Sequence, residues 1–326
     1  MPCKMRLPEM SIYDEIKIGL AHPDLHRTIR IALANIPVQD KHIDSSCKEK
    51  PVLTRSRMKL LATLLNNISK DRFQKNKIDL VIFPEVSIPH DWEPMIVAWA
   101  RRHNIGVICG LEHRINSKKV ALNEMLAALP YKNGKNYTAC LPIRRLKRIY
   151  SPHEIEGLKN SGLKIPKQNR NARDPYQLIR WRGASFAVYN CYELTNIDDR
   201  SIFKGKVDFI VAIECNQDVN YFSTIVEAAS RDLHCYVIQV NNPEYGDSRI
   251  VSPSKTEKMN PLRIKGGENT TFLTMDLDLK ALRDHQVTEH RQPGKSKSFK
   301  SIPPGLDLDD LKTRINLGIT SVEELI

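Results

Sequence analysis

Short runs of this chain are apolar from end to end, and they alternate with segments of helical period. That alternation, more than any other feature, limits what the chain can fold into. Residues 29–38 (IRIALANIPV), 78–85 (IDLVIFPE), 105–112 (IGVICGLE), 206–215 (KVDFIVAIEC) and 235–242 (CYVIQVNN) read as strands covered on both faces. Between them, 57–68, 92–104 and 223–234 carry apolar residues at helical spacing. Strands alternating with helices predict an α/β chain whose sheets carry packed helices. The Asn133-Gly134 dipeptide predicts a hairpin joining 122–131 to 136–146, and YQLIRWRG and ASFAVYNC form a second pair about Gly183. Residues 12–20 read as a short helix, 151–175 as a long polar loop, 272–285 as a strand turning into a helix, and 290–305 as a flexible basic linker.

Composition narrows the class. The chain has 326 residues, 41% of them hydrophobic, which supports a sizeable core. No apolar run approaches the ~20 residues that span a bilayer, and the first residues lack a signal-peptide core, so a cytoplasmic protein without membrane association is expected. Seven cysteines, an odd number without a Cys-x-x-Cys pair, do not support a disulfide framework or zinc knuckle. No histidine pair has metal-ligand spacing, and neither metal nor cofactor is expected. Net charge is +12, and residues 144–182 hold eleven Lys/Arg against three acids. Charge alone fits an ordinary basic protein or one with a nucleic-acid partner.

Three segments place an ionisable residue just past an apolar strand, where ligands of α/β folds collect. They are Phe83-Pro84-Glu85, Lys147 to Glu154, and Cys191-Tyr192-Glu193. Each alone reads more readily as a turn carboxylate, a basic loop or an inert thiol. In this order they resemble the nitrilase (carbon-nitrogen hydrolase) superfamily, whose glutamate, lysine and cysteine lie in segments of the types F-P-E, K-x-H-L-x-P-x-x-E and C-Y-[DE]. Arg200, the strand of 206–213, the segment 227–242 and the closing segment 266–285 extend the resemblance over about 28–290. Three departures fall at Ile149-Tyr150, in place of His-Leu, at Thr195 to Asp198, and at Cys215, where many members have a small residue or an aromatic.

The resemblance implies a four-layer α-β-β-α sandwich over 28–290, between an N-terminal lead-in (1–27) and a basic linker with a C-terminal tail (291–326). It implies Cys191 as nucleophile, Glu85 as general base and Lys147 as the cation favouring thiolate and oxyanion. Glu154 would orient the lysine and substrate, and the Tyr192 N–H would be a second oxyanion donor. The implied activity is hydrolysis of a non-peptide C–N bond in an amide, a carbamoyl group or, less favoured, a nitrile, by a homodimer. Two alternatives stay open: a soluble acyltransferase with the same residues, and a module binding nucleic acid or a nucleic-acid enzyme, like nitrilase-like domains joined to reverse transcriptases in bacterial defence. His153 and His234 lie in contexts that favour solvation or capping over a cysteine dyad.

Overall fold

The computed structural model describes residues 13–19, 28–73, 75–133, 137–166 and 175–316. Its two main sheets are built from runs that are apolar on both faces. The first sheet has the order β10-β9-β6-β5-β2-β17. These strands are β2 (Thr28–Asn35), β5 (Leu80–Ile82), β6 (Gly106–Gly110), β9 (Glu124–Asn133), β10 (Tyr137–Leu146) and β17 (Thr271–Asp278). The second has the order β1-β11-β12-β13-β14-β15-β16. It comprises β1 (Tyr13–Ile18), β11 (Tyr176–Trp181), β12 (Ala184–Asn190), β13 (Phe209–Ile213), β14 (Tyr236–Val240), β15 (Ser248–Val251) and β16 (Leu262–Ile264). Two small ribbons pair β3 (Arg72–Phe73) with β4 (Asn76–Lys77) and β7 (Arg114–Ile115) with β8 (Ala121–Leu122).

Successive strand residues face opposite ways, and the core divides accordingly. Ile31 and Leu33 of β2, Ile82 of β5, Phe186 and Val188 of β12 and Val211 of β13 share the core between the sheets. Their neighbours Ala32 and Ala34, Val81 and Val107 face outward, against α2 (Arg55–Lys70) and α3 (Glu93–His103). Tyr189, Ile210, Ala212 and Val237 face α6 (Val219–Leu233) on the other side. The result is the expected α-β-β-α sandwich. Local signals start the helices: Thr54 accepts from the N–H of Arg57 at 3.3 Å to cap α2, and Asp218 accepts from that of Tyr221 at 3.2 Å to cap α6. In α2, Leu61, Leu64, Leu65 and Ile68 form the buried stripe.

Three expectations are corrected. Residues 13–18 form a strand, parallel to β11 with Tyr13 opposite Tyr176, and not a helix. The stretch read as one loop contains α4 (Pro152–Asn160), capped by Ser151, whose hydroxyl accepts from the N–H of Glu154 at 3.1 Å. The stretch read as a flexible linker packs on the fold. Phe299 is buried, and the Lys300 carbonyl meets the Nε2 atoms of His234 (2.8 Å) and His285 (2.9 Å). Beyond it, α8 (Leu308–Asn316) lies against α7 (Leu279–Arg291) and buries Arg314. The Asn-Gly turn, residues 167–174, most of the lead-in and 317–326 lie outside the described residues.

Candidate functional site

Strands β5, β10, β12 and β13 run in one direction within their sheets, so their carboxyl ends gather on one side of the sandwich. Glu85 leaves β5 through Phe83-Pro84. This turn lies directly on β6: a Cβ at Gly110 would come within 2.4 Å of the Val86 nitrogen and 2.5 Å of the Glu85 Cα, so only glycine fits there. Gly110 also donates to the Pro84 carbonyl at 3.1 Å, and its own carbonyl accepts from the N–H of Ser87 at 3.0 Å. The Glu85 side chain is buried, on a turn with little freedom.

Lys147 follows β10 and is almost fully buried. Its ammonium donates to Glu85 Oε1 at 2.7 Å and to Glu154 Oε2 at 2.6 Å. Burial works to strip its proton, but Glu154, Glu85 and Cys191 outweigh burial and hold the lysine well above its ordinary value. Asn123 closes the group. Its Nδ2 donates to Glu85 Oε1 at 2.8 Å and to Glu154 Oε1 at 3.0 Å, and its Oδ1 accepts from Asn190 Nδ2 at 2.9 Å. Asn190 immediately precedes Cys191, so this one asparagine ties the lysine–carboxylate group to the cysteine turn.

Cys191 opens a 3-10 turn (Cys191–Thr195) at the end of β12, with φ at +51°, a region that side chains other than glycine avoid. Holding it there costs about 1–3 kcal/mol, which the surroundings must supply. Glu193 supplies it. The carboxylate is fully buried and accepts from the Asn190 N–H at 2.7 Å, from both Arg145 terminal nitrogens at 2.7 Å, and from the Arg148 N–H at 2.6 Å. A bidentate arginine pair of this kind is both strong and directional. It locks the cysteine turn to the same β10 end that carries Lys147. Burial first and Glu85 second push the Cys191 thiol well above its ordinary value, and Lys147 offsets them only in part. The resting thiol is therefore neutral, although Lys147 pulls it toward thiolate.

The remaining expected residues are spread around this group. Glu154 sits one turn into α4, held low against burial by Lys147 and His113. Tyr192 is half-buried in the turn. His153 is exposed, and His234 lies against the C-terminal segment. Missed by the sequence reading were Asn123, Asn190, Arg145, Glu193 and two further groups. His113 lies 3.8 Å from Glu154, and although burial opposes its charge, Cys47 and Glu154 raise it to about 9. Glu214, at the end of β13, is fully buried. A groove of about 470 Å³ between α3 and β10 has none of Glu85, Lys147, Glu154 or Cys191 in its wall. Among the described residues no cluster of three or more His, Cys, Asp or Glu could hold a metal, and no helix is long and apolar enough to cross a membrane.

By sequence the chain matches no family profile and no curated protein. By structure it matches solved nitrilase-superfamily enzymes over most of its length. A butyramide complex of a cysteine-to-alanine variant of the Nesterenkonia sp. amidase shares 16% identity, 84% of this chain, 99% of that one and a TM-score of 0.54. The fold is nitrilase-like. A second structure of that amidase, in which the acetamide moiety of fluoroacetamide is covalently added at the active-site cysteine, matches at 15% identity over 84% and 99% of the two chains, with a TM-score of 0.53. A carbon-nitrogen hydrolase superfamily protein from Xanthomonas campestris, with an arsenic adduct in its active site, matches at 15% identity over 84% and 98%, also at 0.53. Such identities establish the nitrilase-like fold and leave the chemistry to the residues themselves.

Proposed function

We propose that this chain hydrolyses a non-peptide C–N bond of an amide or carbamoyl group, with Cys191 as nucleophile, Glu85 as proton carrier and Lys147 as electrostatic partner. The observation that carries this reading is the single ammonium of Lys147, buried between Glu85 and Glu154 while it and Glu85 are the two strongest charges bearing on the thiol. Because the resting thiol is neutral, attack on the carbonyl carbon must be coupled to transfer of its proton to Glu85. The C–S bond forms, the C=O electron pair moves to oxygen, and Lys147 with the Tyr192 N–H stabilises that oxyanion. Collapse breaks the C–N bond, the amine leaves with the proton from Glu85, and a thioester remains. Water then attacks the thioester, giving its proton to Glu85, and the acid departs as the thiol re-forms. Glu154 and Asn123 hold Lys147 and Glu85 through these steps.

The charge of 144–182 gives less support to a nucleic-acid module. Arg144 pairs with Glu93, Arg145 with Glu193, Lys147 with Glu85 and Glu154, Arg180 with Glu15 and Arg182 with Asp79. Five of the eleven basic residues are thus paired with acids of the same chain. The hydrolase reading is tested with a panel of small aliphatic amides and carbamoyl compounds, following ammonia or amine release. Cys191→Ala is expected to abolish turnover and to leave the melting temperature nearly unchanged, since thiol to methyl removes little packing. Turnover that survives the substitution would remove Cys191 from the mechanism.

A further inference from the structure

Glu214 is a buried carboxyl that the proposed mechanism does not use. The register pairs Asn190 of β12 with Ile213 of β13, so the next residues, Cys191 and Glu214, stand side by side at the carboxyl edge of two parallel strands. The Glu214 backbone is fixed on its other side by β14: its N–H donates to the Val240 carbonyl at 2.8 Å, and its carbonyl accepts from the Asn242 N–H at 3.1 Å. The side chain is fixed by a chain of donors. Arginine can only donate, and Arg249 Nε donates to Gln239 Oε1 at 3.1 Å. That settles the amide orientation, so Gln239 Nε2 donates to Glu214 Oε2 at 2.8 Å. The second oxygen, Oε1, is buried and has no partner among the described residues.

A carboxylate with one donor and one unpartnered oxygen is poorly stabilised at zero exposure. The charges around it do not compensate. Glu85 faces it from the end of β5, and Asp247 from the start of β15, both negative. Arg249 is the facing cation, and it is shared with Glu227 (3.0 Å) and Asp247 (3.8 Å). Burial, assisted by Glu85 and Asp247 and opposed by Gln239 and Arg249, pushes Glu214 up to about 8. Glu214 is also the third charge bearing on the Cys191 thiol, after Glu85 and Lys147.

We propose that Glu214 is a charge gate on Cys191: as a neutral acid it lets the thiol give up its proton, and as an anion it holds the thiol in its neutral form. Glu214 is a positioning residue in this role, and its proton exchanges with solvent rather than with substrate. The gate rests on the hydrolase reading only in taking Cys191 as the nucleophile, and its test does not need turnover. The rate of Cys191 alkylation by iodoacetamide, read by peptide mass spectrometry, is measured from about pH 6 to about pH 10 in the wild type and Glu214→Gln. The two curves are expected to superimpose below about pH 7, where both groups are neutral. Above about pH 8 the wild type is expected to fall behind by on the order of tenfold, as a second negative charge meets the thiol. Curves that coincide throughout, or differ by a constant factor, overturn the gate, because a purely structural role would not change with pH. If Glu214→Gln fails to fold, Gln239→Met serves: it removes the donor that steadies the anion, and the break is expected at higher pH, while an unmoved break overturns the proposal. Wild-type protein that shows the break but hydrolyses no amide would sink the hydrolase reading and leave the gate standing. Turnover without the break would do the reverse.

Discussion

Strand β13 carries a fully buried carboxyl at each end, Asp208 just before it and Glu214 just after, and the two could hardly be treated more differently. Asp208 receives two hydrogen bonds from Arg283, at 2.6 and 2.8 Å, a third from the Ser185 N–H at 2.8 Å, and the charge of Arg314 at 3.5 Å. Burial would raise it, but Arg283 and Arg314 outweigh burial and hold it below the usual carboxylate range. Glu214 has one donor and an idle oxygen, and it is pushed the other way. At the amino end of the strand both carboxylate oxygens are paired, and the ion cluster ties α7 and α8 to the sheet. At the carboxyl end capacity is left over in a neutral thiol and an acid with one idle oxygen. Satisfied buried charge holds a structure together, whereas unsatisfied buried charge is free to act.

The contrast breaks most visibly at Asp208. Asp208→Asn strands Arg283 and Arg314 as buried cations and is expected to cost about 3–5 kcal/mol of stability. Denaturant melts of the two ends check the sign as well. Because Asp208 is depressed, its contribution is present above the ordinary carboxylate range and is lost as pH falls through its lower folded value. Glu214 is raised, so the folded state holds the extra proton, and stability declines as pH rises from the ordinary glutamate value towards about 8. Asp208→Asn should therefore flatten the acid side of the stability profile, and Glu214→Gln the decline between the ordinary glutamate value and about pH 8. Identical profiles for the two variants would erase the distinction between the ends.

A somewhat smaller effect is expected at Lys147. Lys147→Met keeps the stem and deletes the charge, and losing one oxyanion donor costs about 2.7–4 kcal/mol, roughly 100- to 1,000-fold in rate. The same change should move Cys191 alkylation to higher pH, since the one cation that offsets Glu85 and burial is gone. A superimposable alkylation profile would mean that Lys147 acts only on Glu154.

Much of this was legible in the sequence, for identifiable reasons. Glu85, Lys147 and Cys191 each follow an apolar run, so local pattern announces them as strand-end residues. Arg145 and Asn190 lie in strands and Asn123 between two of them, and only the packing of the two sheets reveals that they meet. Glu193 looked like part of a motif, and its role as the lock on the turn depends on an arginine 48 positions away. The cap of α4 was present as Ser151-Pro152-His153-Glu154, a helix-start signal masked by its polar surroundings. Strand β1 was misread because Ile12, Ile16 and Leu20 have helical spacing, while an edge strand needs only a partner, which β11 provides. The stretch 290–305 has a linker's composition, but two histidines and Phe299 fix it.

The central claim is that Cys191 reacts because of its neighbours and in spite of its burial. Treating the protein with fluoroacetamide and mapping adducts over time tests this directly. Burial raises Cys109, Cys191 and Cys235 alike, Cys235 to about 12, while Cys47 and Cys140 are half-exposed. Exposure alone ranks Cys47, Cys140 and Cys215 first and leaves Cys191 with the two core thiols. The account predicts the opposite order, with Cys191 modified ahead of every other cysteine. Cys191 trailing with Cys109 and Cys235 would contradict it.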